Sequence, residues 1–408
     1  MSSSTVITGI GVLAPNGLGA DDYWAATIEG RSGISEVSRF DASGYPHRLA
    51  GEVPGFDAKA HLPNRLLPQT DHMTRLALVA GDWALADAGV SPETLPAFDM
   101  GVITASSAGG FEFGQRELEN LWSKGSEHVS AYQSFAWFYA VNAGQISIRN
   151  GMKGPGSVLV SDQAGGLDAM AQGRRQLRKG SQLIVSGAVD GSICPWGWVA
   201  QQAGKRLSTI DDPESAYLPF DARAAGHVPA EGGAILIMER RQAAEERGAP
   251  QVYGEFAGYS ATFDPRPRTG REPALRRALV EALRDAEVEP GEVDVVFADA
   301  AAVPELDAVE AAAINAVFGR RAVPVTAPKT MTGRMYAGAA PLDVATALLA
   351  IRDGVIPPTT NIVPAAGHGL DLVTGTARAA VVGTAVIVAR GHGGFNSVVV
   401  LRGEANSN

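Results

Sequence analysis

The chain has 408 residues, 45% hydrophobic and 19% charged, an ordinary soluble globular balance with length enough for a large core or for two fused halves. A net charge of −10 excludes the basic field of a nucleic-acid binder, and no apolar run reaches the length of a membrane span. A single cysteine, Cys194, excludes an intrachain disulfide.

The opening residues, MSSSTVITGIGVLAPNG, enter a strand-like run at once, with no basic region and no cleavage pattern, so a cytoplasmic protein is expected. After the strand TVITGIGV, the periodicity predicts a helix over 71–89 and then the strand MGVITAS. That strand leads through a small-residue turn into residues 104–122, TASSAGGFEFGQRELENLW. Here Phe111, Gly114 and Leu118 fall at i, i+3 and i+7, one face of a helix and ordinarily a core stripe. SVLVSD, a turn and a helix over 165–179 follow, then SQLIVSGAVDG and the short CPWGW segment with Trp196 and Trp198. Gly-Pro-Asp-rich stretches at 204–229 and 262–273 are expected to be loops. The remaining strand candidates are GGAILIME, VDVVFADA, AVPVTAP, AAVVGTAVIVAR and NSVVVLRG, with helices predicted over 272–286, 307–318 and 340–353. This alternation predicts an α/β layered fold.

Two stretches echo each other. SVLVSDQAGGLDAMAQGRRQLRKG runs strand, turn, helix and closes on Arg-Lys-Gly. VPVTAPKTMTGRMYAGAAPLDVATALLAIRDG does the same with a longer turn and closes on Arg-Asp-Gly. The echo predicts two similar βα halves, 1–250 and 251–408, joined near residues 240–260.

Residues 158–173, VLVSDQAGGLDAMAQG, have the layout of a nucleophile elbow, in which a sharp turn lifts one side chain to a helix N-terminus that favours an anion. The residue lifted is Gln163, whose amide has no usable nucleophilic lone pair and can only exchange hydrogen bonds. A site of catalytic shape therefore lacks its catalyst, and Gln163 is expected to fill the elbow and bond the vacated oxyanion-hole amides.

These segments carry a resemblance along nearly the whole chain. TVITGIGVLAPNG, PFDARAAGHVPAEGGAILIME (219–239), PKTMTGRMYAGAA (328–340) and GHGGFNS (391–397) resemble, in order, the motifs of the β-ketoacyl synthases of the thiolase fold. The resemblance implies two pseudo-duplicated βα halves in a five-layered αβαβα core. A condensing member has a cysteine where Gln163 stands. Its first histidine, in a His-Gly-Thr-x-Thr-Pro turn, corresponds to Asp299, with Pro304 retained. Its second corresponds to Arg334, with Lys329 retained, and the phenylalanine of its terminal turn becomes His392. Loss of the cysteine and both histidines resembles the ketosynthase beta subunit, or chain length factor, of bacterial type II aromatic polyketide synthases.

Decarboxylative condensation needs a thiolate to carry the chain and donors to stabilise an enolate. Asp299 would put a carboxylate where that negative charge develops, so Asp299 and Arg334 are expected to pair as structural residues of a defunct site. By the family's arrangement, Lys329 is expected to pair with Glu310 or Asp307. His392 is expected to be a turn residue and Cys194 a packed thiol, and no metal-ligand spacing or cofactor motif occurs. The run Arg174, Arg175, Arg178, Lys179 is expected to be a solvated helix face, with docking of an acidic carrier protein as the other reading.

The resemblance implies a non-catalytic subunit. It would pair with a paralogous, cysteine-bearing ketosynthase alpha subunit, work with an acyl carrier protein, and set poly-β-ketone length in a tunnel at the dimer interface. The face of Phe111, Gly114 and Leu118 would line the end of that tunnel, with Trp196 and Trp198 as further wall candidates. Bulk there would stop the chain, and the gap at Gly114 would let it grow. The pairing strand would lie near residues 156–162. An alternative is a malonyl-carrier decarboxylase built on Gln163, supplying an acetyl primer. A third is a condensing enzyme with its chemistry moved to Cys194.

Overall fold

A computed structural model describes residues 4–266 and 269–404. In the first half the principal elements are β1 (Thr5–Ala14), α1 (His72–Asp87), β2 (Met100–Ser106), α2 (Phe111–Lys124), α3 (Val141–Arg149) and β3 (Gly156–Val160). They continue with α4 (Gly165–Arg178), β4 (Leu183–Asp190), α5 (Pro195–Gln202) and β5 (Gly232–Arg240). The second half holds β6 (Gly254–Phe263), α6 (Leu275–Ala286), β7 (Val295–Phe297), α7 (Pro304–Phe318), β8 (Pro324–Thr326) and α8 (Ala339–Asp353). It ends with β9 (Asp371–Leu372), β10 (Thr384–Arg390) and β11 (Phe395–Arg402).

Hydrogen bonding runs β9-β8-β7-β10-β11-β6-β1-β5-β4-β2-β3, and among the described residues the two sheets pair where Val6 and Ile7 of β1 meet Glu255 and Gly254 of β6. On either side of that seam the same arrangement repeats. β1-β5-β4-β2-β3 and β6-β11-β10-β7-β8 share the sequence of antiparallel, antiparallel, parallel, parallel pairings.

Side chains alternate between two covered faces. In β5, Leu236 and Met238 join a central core while Ile235 and Ile237 join an outer one under α1 and α3. In β11, Val399 and Leu401 are central while Val398 and Val400 face the outer core of α6 and α7. Strands covered on both faces need apolar residues at every position, which is why these segments are unbroken runs rather than alternating patterns. The helix between the sheets must likewise be apolar all round. Ala339 through Ala350 of α8 are all buried, and Pro341 is tolerated in its first turn, where the missing N–H has no intrahelical partner. The result is helix, sheet, helix, sheet, helix.

The helices expected over 71–89, 165–179, 272–286, 307–318 and 340–353 correspond to α1, α4, α6, α7 and α8. Three strands are shorter than their apolar runs, AAVVGTAVIVAR among them, which joins the main sheet only over Thr384–Arg390. VDVVFADA is paired only over Val295–Phe297, because Asp299 and Ala300 turn away to be held by Glu310, and AVPVTAP only over Pro324–Thr326. The 204–229 stretch is a loop with isolated bridges. In the 262–273 loop, residues 267 and 268 lie outside the described residues. Among the described residues no helix is long and apolar enough to cross a membrane.

Candidate functional site

β3 ends at Val160, and the turn to α4 is closed by the Gly165 amide donating to the Asp162 carbonyl at 2.8 Å. Its position is fixed from behind by a close approach of the central helices. A Cβ on Gly166 would stand 2.3 Å from Pro341 Cδ and 2.4 Å from the Ala337 carbonyl oxygen, so only glycine fits there. The turn thus presents Gln163 to a cavity of about 430 Å³, lined also by Asp162, Arg206, His227, Asp299, Arg334, Arg390 and His392.

Gln163 is buried, yet its side chain bonds no described residue, so the expectation that it occupies the elbow amides is not met. Its neighbour Asp162 does make a bond to the backbone: the His392 amide donates to Asp162 Oδ2 at 2.6 Å. His392 itself is exposed in the glycine-rich turn.

The positions expected to carry histidines hold a closed ion pair. Arg334 Nη2 meets Asp299 Oδ1 at 2.9 Å, and the same oxygen accepts from the Arg390 amide at 2.9 Å. Burial pushes the Asp299 carboxyl up, but the charges of Arg334 and then Lys329 outweigh it and hold the group below its usual range. Burial alone would weaken the Arg334 cation; the charge of Asp299 reverses that and raises it further. Neither group can exchange a proton near neutrality. His227, beside them, is pushed down to about 3 by burial and then by the charge of Arg334, so it is neutral at physiological pH.

Lys329 pairs with neither Glu310 nor Asp307, contrary to expectation. Its Nζ meets Asp343 Oδ2 of α8 at 2.6 Å and also donates to the Ala298 carbonyl. Glu310 is engaged elsewhere: its two oxygens accept from the Asp299 and Ala300 amides at 2.7 and 2.9 Å. Those amides would otherwise be orphaned, because Ala300, at φ 52°, leaves the strand path there. Asp307 accepts the Phe220 amide at 2.9 Å.

Cys194 caps α5, accepting from the Gly197 amide at 3.5 Å, and burial pushes its thiol up to about 11. A nucleophile needs the opposite environment, so relocated chemistry at Cys194 has no support. The basic run divides. Arg174 is buried against Asp285 and the Ala257 carbonyl, not solvated, while Arg175, Arg178 and Lys179 are exposed.

On α2 the core stripe is Phe113 and Glu117, the latter accepting the Ser130 amide at 2.7 Å. Phe111, Gly114 and Leu118 lie on the next face. Phe111 stacks on Trp196 with ring centroids 4.5 Å apart and planes 10° apart. The expected gap at Gly114 is already filled: a Cβ there would stand 3.1 Å from Trp196 Cζ3. Leu118 and Trp196 border a shallow recess with Gln115 and Trp122. Trp198 is not part of this wall. It is fully buried, edge-on to Phe40 at 5.7 Å, with its indole N–H donating to the His47 carbonyl at 3.2 Å. Sequence reasoning passed over the rest of this surface. Trp122 is 82% exposed, and Tyr132, Trp137 and Phe138 in the segment after α2 are exposed as well. The run AYQSFAWFYA, residues 131–140, was the available signal.

The models of the β-ketoacyl synthase N-terminal and C-terminal domains match residues 2–244 and 253–363. The chain belongs to the β-ketoacyl synthase family. Within that family it is a ketosynthase beta subunit of the type II polyketide synthase kind. It is 61% identical over 399 residues to the tetracenomycin polyketide synthase ketoacyl synthase beta subunit of Streptomyces glaucescens, covering 97% of this chain and 98% of that one. It is 59% identical to the actinorhodin polyketide putative beta-ketoacyl synthase 2 of Streptomyces coelicolor, covering 98% of each. Among solved structures, the ishigamide ketosynthase/chain length factor superposes with a TM-score of 0.88 at 26% identity, over 99% of this chain and 100% of that one. A ketosynthase solved in complex with its type II polyketide synthase acyl-carrier protein gives 0.89 at 25% identity, over 99% and 100%. The β-ketoacyl synthase halves thus enclose a cavity whose nucleophile position is a glutamine and in which Asp299 and Arg334 are paired with each other.

Proposed function

We propose that this chain is the non-catalytic, length-setting subunit of a type II polyketide synthase. It pairs with a cysteine-bearing ketosynthase and borders the tunnel in which that partner grows a poly-β-ketone. The observation that carries the reading is the aromatic face of α2 and residues 132–138, exposed in the same half as the bare outer strand β3. A strand edge and a large apolar patch left open together are what an obligate partner covers. Leu118 and Trp196 border the recess on that face, with Phe111 stacked on Trp196 and Gly114 beneath it, so a chain reaching the interface would meet Leu118 and Trp196 and feel the other two through the indole. Gln163, Asp299, Arg334, Lys329 and His392 form the degenerate counterpart of a condensing site. The carrier protein presents malonyl units and the growing chain to the partner. We divide the chain into halves 1–250 and 251–408. The decarboxylase reading is not favoured, since at the two positions where a condensing member has its histidines Asp299 and Arg334 are committed to each other.

Co-expression with a cysteine-bearing ketosynthase and a carrier protein tests this. The pair is expected to co-purify and to make polyketide, and the isolated chain to make none. Ketide formation by this chain alone would overturn the reading.

A further inference from the structure

The elbow holds one feature that the missing nucleophile does not explain. Asp162 lies directly before Gln163, and its Oδ2 accepts the His392 amide at 2.6 Å. The carboxylate lies close against the 391–392 peptide: a Cβ on Gly391 would stand 2.3 Å from Asp162 Oδ1. The contact therefore joins two segments far apart in the chain, and glycine at 391 is what permits it. At an elbow, amides facing the lifted residue are the donors that would hold an oxyanion. Here one is occupied by an anion supplied from within the chain.

We infer that Asp162 is a second, independent lock on this site: its carboxylate takes the place of the oxyanion and places a negative charge beside any nucleophile at position 163. Glutamine alone removes the reacting group, whereas Asp162 removes the environment in which a reacting group would work. The inference rests on position 163 being a vacated nucleophile position. The groups facing Asp162 are Arg334, Asp299, His392, Arg206 and Tyr336. Arg334 and Asp299 largely cancel as a closed pair, and among the described residues no cation, Arg206 included, forms an ion pair with Asp162. Burial raises the Asp162 carboxyl, and the His392 amide and the Arg334 charge oppose that rise. Asp162 and position 163 line the same cavity, and a like charge within about 4–6 Å of a thiol raises its pKa by about one unit or more.

The test uses the complex with the partner ketosynthase, the partner's own nucleophile blocked beforehand. Gln163→Cys is compared with Asp162→Ala/Gln163→Cys and Asp162→Asn/Gln163→Cys. The rate at which iodoacetamide alkylates the introduced thiol is followed against pH, with the modified peptide identified by mass so that Cys194 does not interfere. The midpoint is expected to be highest when Asp162 is kept and to fall by about one pH unit in both double variants. Asparagine is nearly isosteric and can still accept the His392 amide, so it removes the charge alone and carries the test if the alanine variant folds poorly. A thioester-hydrolysis assay separates the other half of the inference: the alanine variant, with the amide freed, is expected to turn over faster than the asparagine one. Equal midpoints in all three proteins would overturn the inference. That outcome is distinct from failure of the proposed function, which would show as condensation by the chain with Gln163 and Asp162 intact.

Discussion

The two halves repeat one strand order but treat the outer strand differently. In the second half β8 is flanked by β9, through Pro324–Asp371 and Val325–Leu372, and its residues Val325 and Thr326 are buried. In the first half β3 pairs with β2 on one side only, and none of its residues is fully buried, with Gly156 and Val160 exposed. The turns that follow differ as well. After β8 come the buried charges Lys329 and Arg334, each with a carboxylate partner. After β3 come Asp162 and Gln163 beside a cavity, with exposed aromatics elsewhere in the same half. The second half adds the two-residue strand β9 outside β8 and pairs the charges that follow it internally; the first half leaves β3 itself as the outer strand. Duplication sets the topology, but what covers each edge decides which half meets a partner.

The largest expected effect breaks the closed half. Arg334→Ala would leave Asp299 buried without its cation, and removing one partner of such a pair costs about 3–5 kcal/mol. Urea unfolding of the chain in its complex should show this as a lower midpoint. Removing both charges, Asp299→Ala/Arg334→Ala, should recover much of the loss, because the penalty is the orphaned carboxylate. A single variant as stable as the wild type would mean that the pair does not hold the second half's turn.

The open half should break at association. Trp122 is 82% exposed, so Trp122→Ala should leave the chain's own fold nearly unchanged. Buried at an interface, a tryptophan anchor is worth about 2 kcal/mol or more, roughly thirty-fold in affinity. Sedimentation of the complex at graded concentrations reads this directly. Unchanged dissociation would move the interface away from α2.

Much of this contrast is legible in the sequence, and the illegible parts have a common cause. The doubly covered strands announce themselves as apolar runs, and the echo of the halves survives as strand, turn and helix. Gln163, Asp299 and Arg334 are locatable because motifs flank them. What a sequence does not give is which neighbour a buried side chain reaches. Asp343, the partner of Lys329, sits in a helix whose surroundings are otherwise apolar, so nothing marks it as an ion-pair residue. Trp196 and Trp198 are two residues apart, which on a helix means nearly opposite faces, and only packing says which faces the core. Arg174 looks like its exposed neighbours until Asp285 of α6 is brought across it. The role of Asp162 depends on a turn at residue 392, far along the chain.

The smallest expected effect on stability is also the sharpest test of what the open half does. Gly114 lies under Trp196, and a Cβ there would stand 3.1 Å from Trp196 Cζ3 and 3.6 Å from Trp137 Cβ. The first distance is tight, so in Gly114→Ala the indole must move by a few tenths of an ångström. It can do so: Trp196 is only partly buried, held by the stack on Phe111 and by its amide donating to Gln115 Oε1 at 2.8 Å. The open direction is outward, into the recess it shares with Leu118 and Trp122. Alanine within a helix gains about 0.5–1 kcal/mol over glycine, which offsets crowding of similar size, so net stability should change little. The recess, however, becomes smaller. If the growing chain ends there, the reconstituted pair should release a product of fewer ketide units at nearly undiminished turnover, since the reacting thiolate is on the partner. Gly114→Phe should push the same shift further. Truncating the indole, as in Gly114→Ala/Trp196→Ala, should reverse it, because the group displaced into the path is gone. Product mass decides the matter: an unchanged length in a well-folded, active complex would mean that Trp196 stands clear of the chain's path.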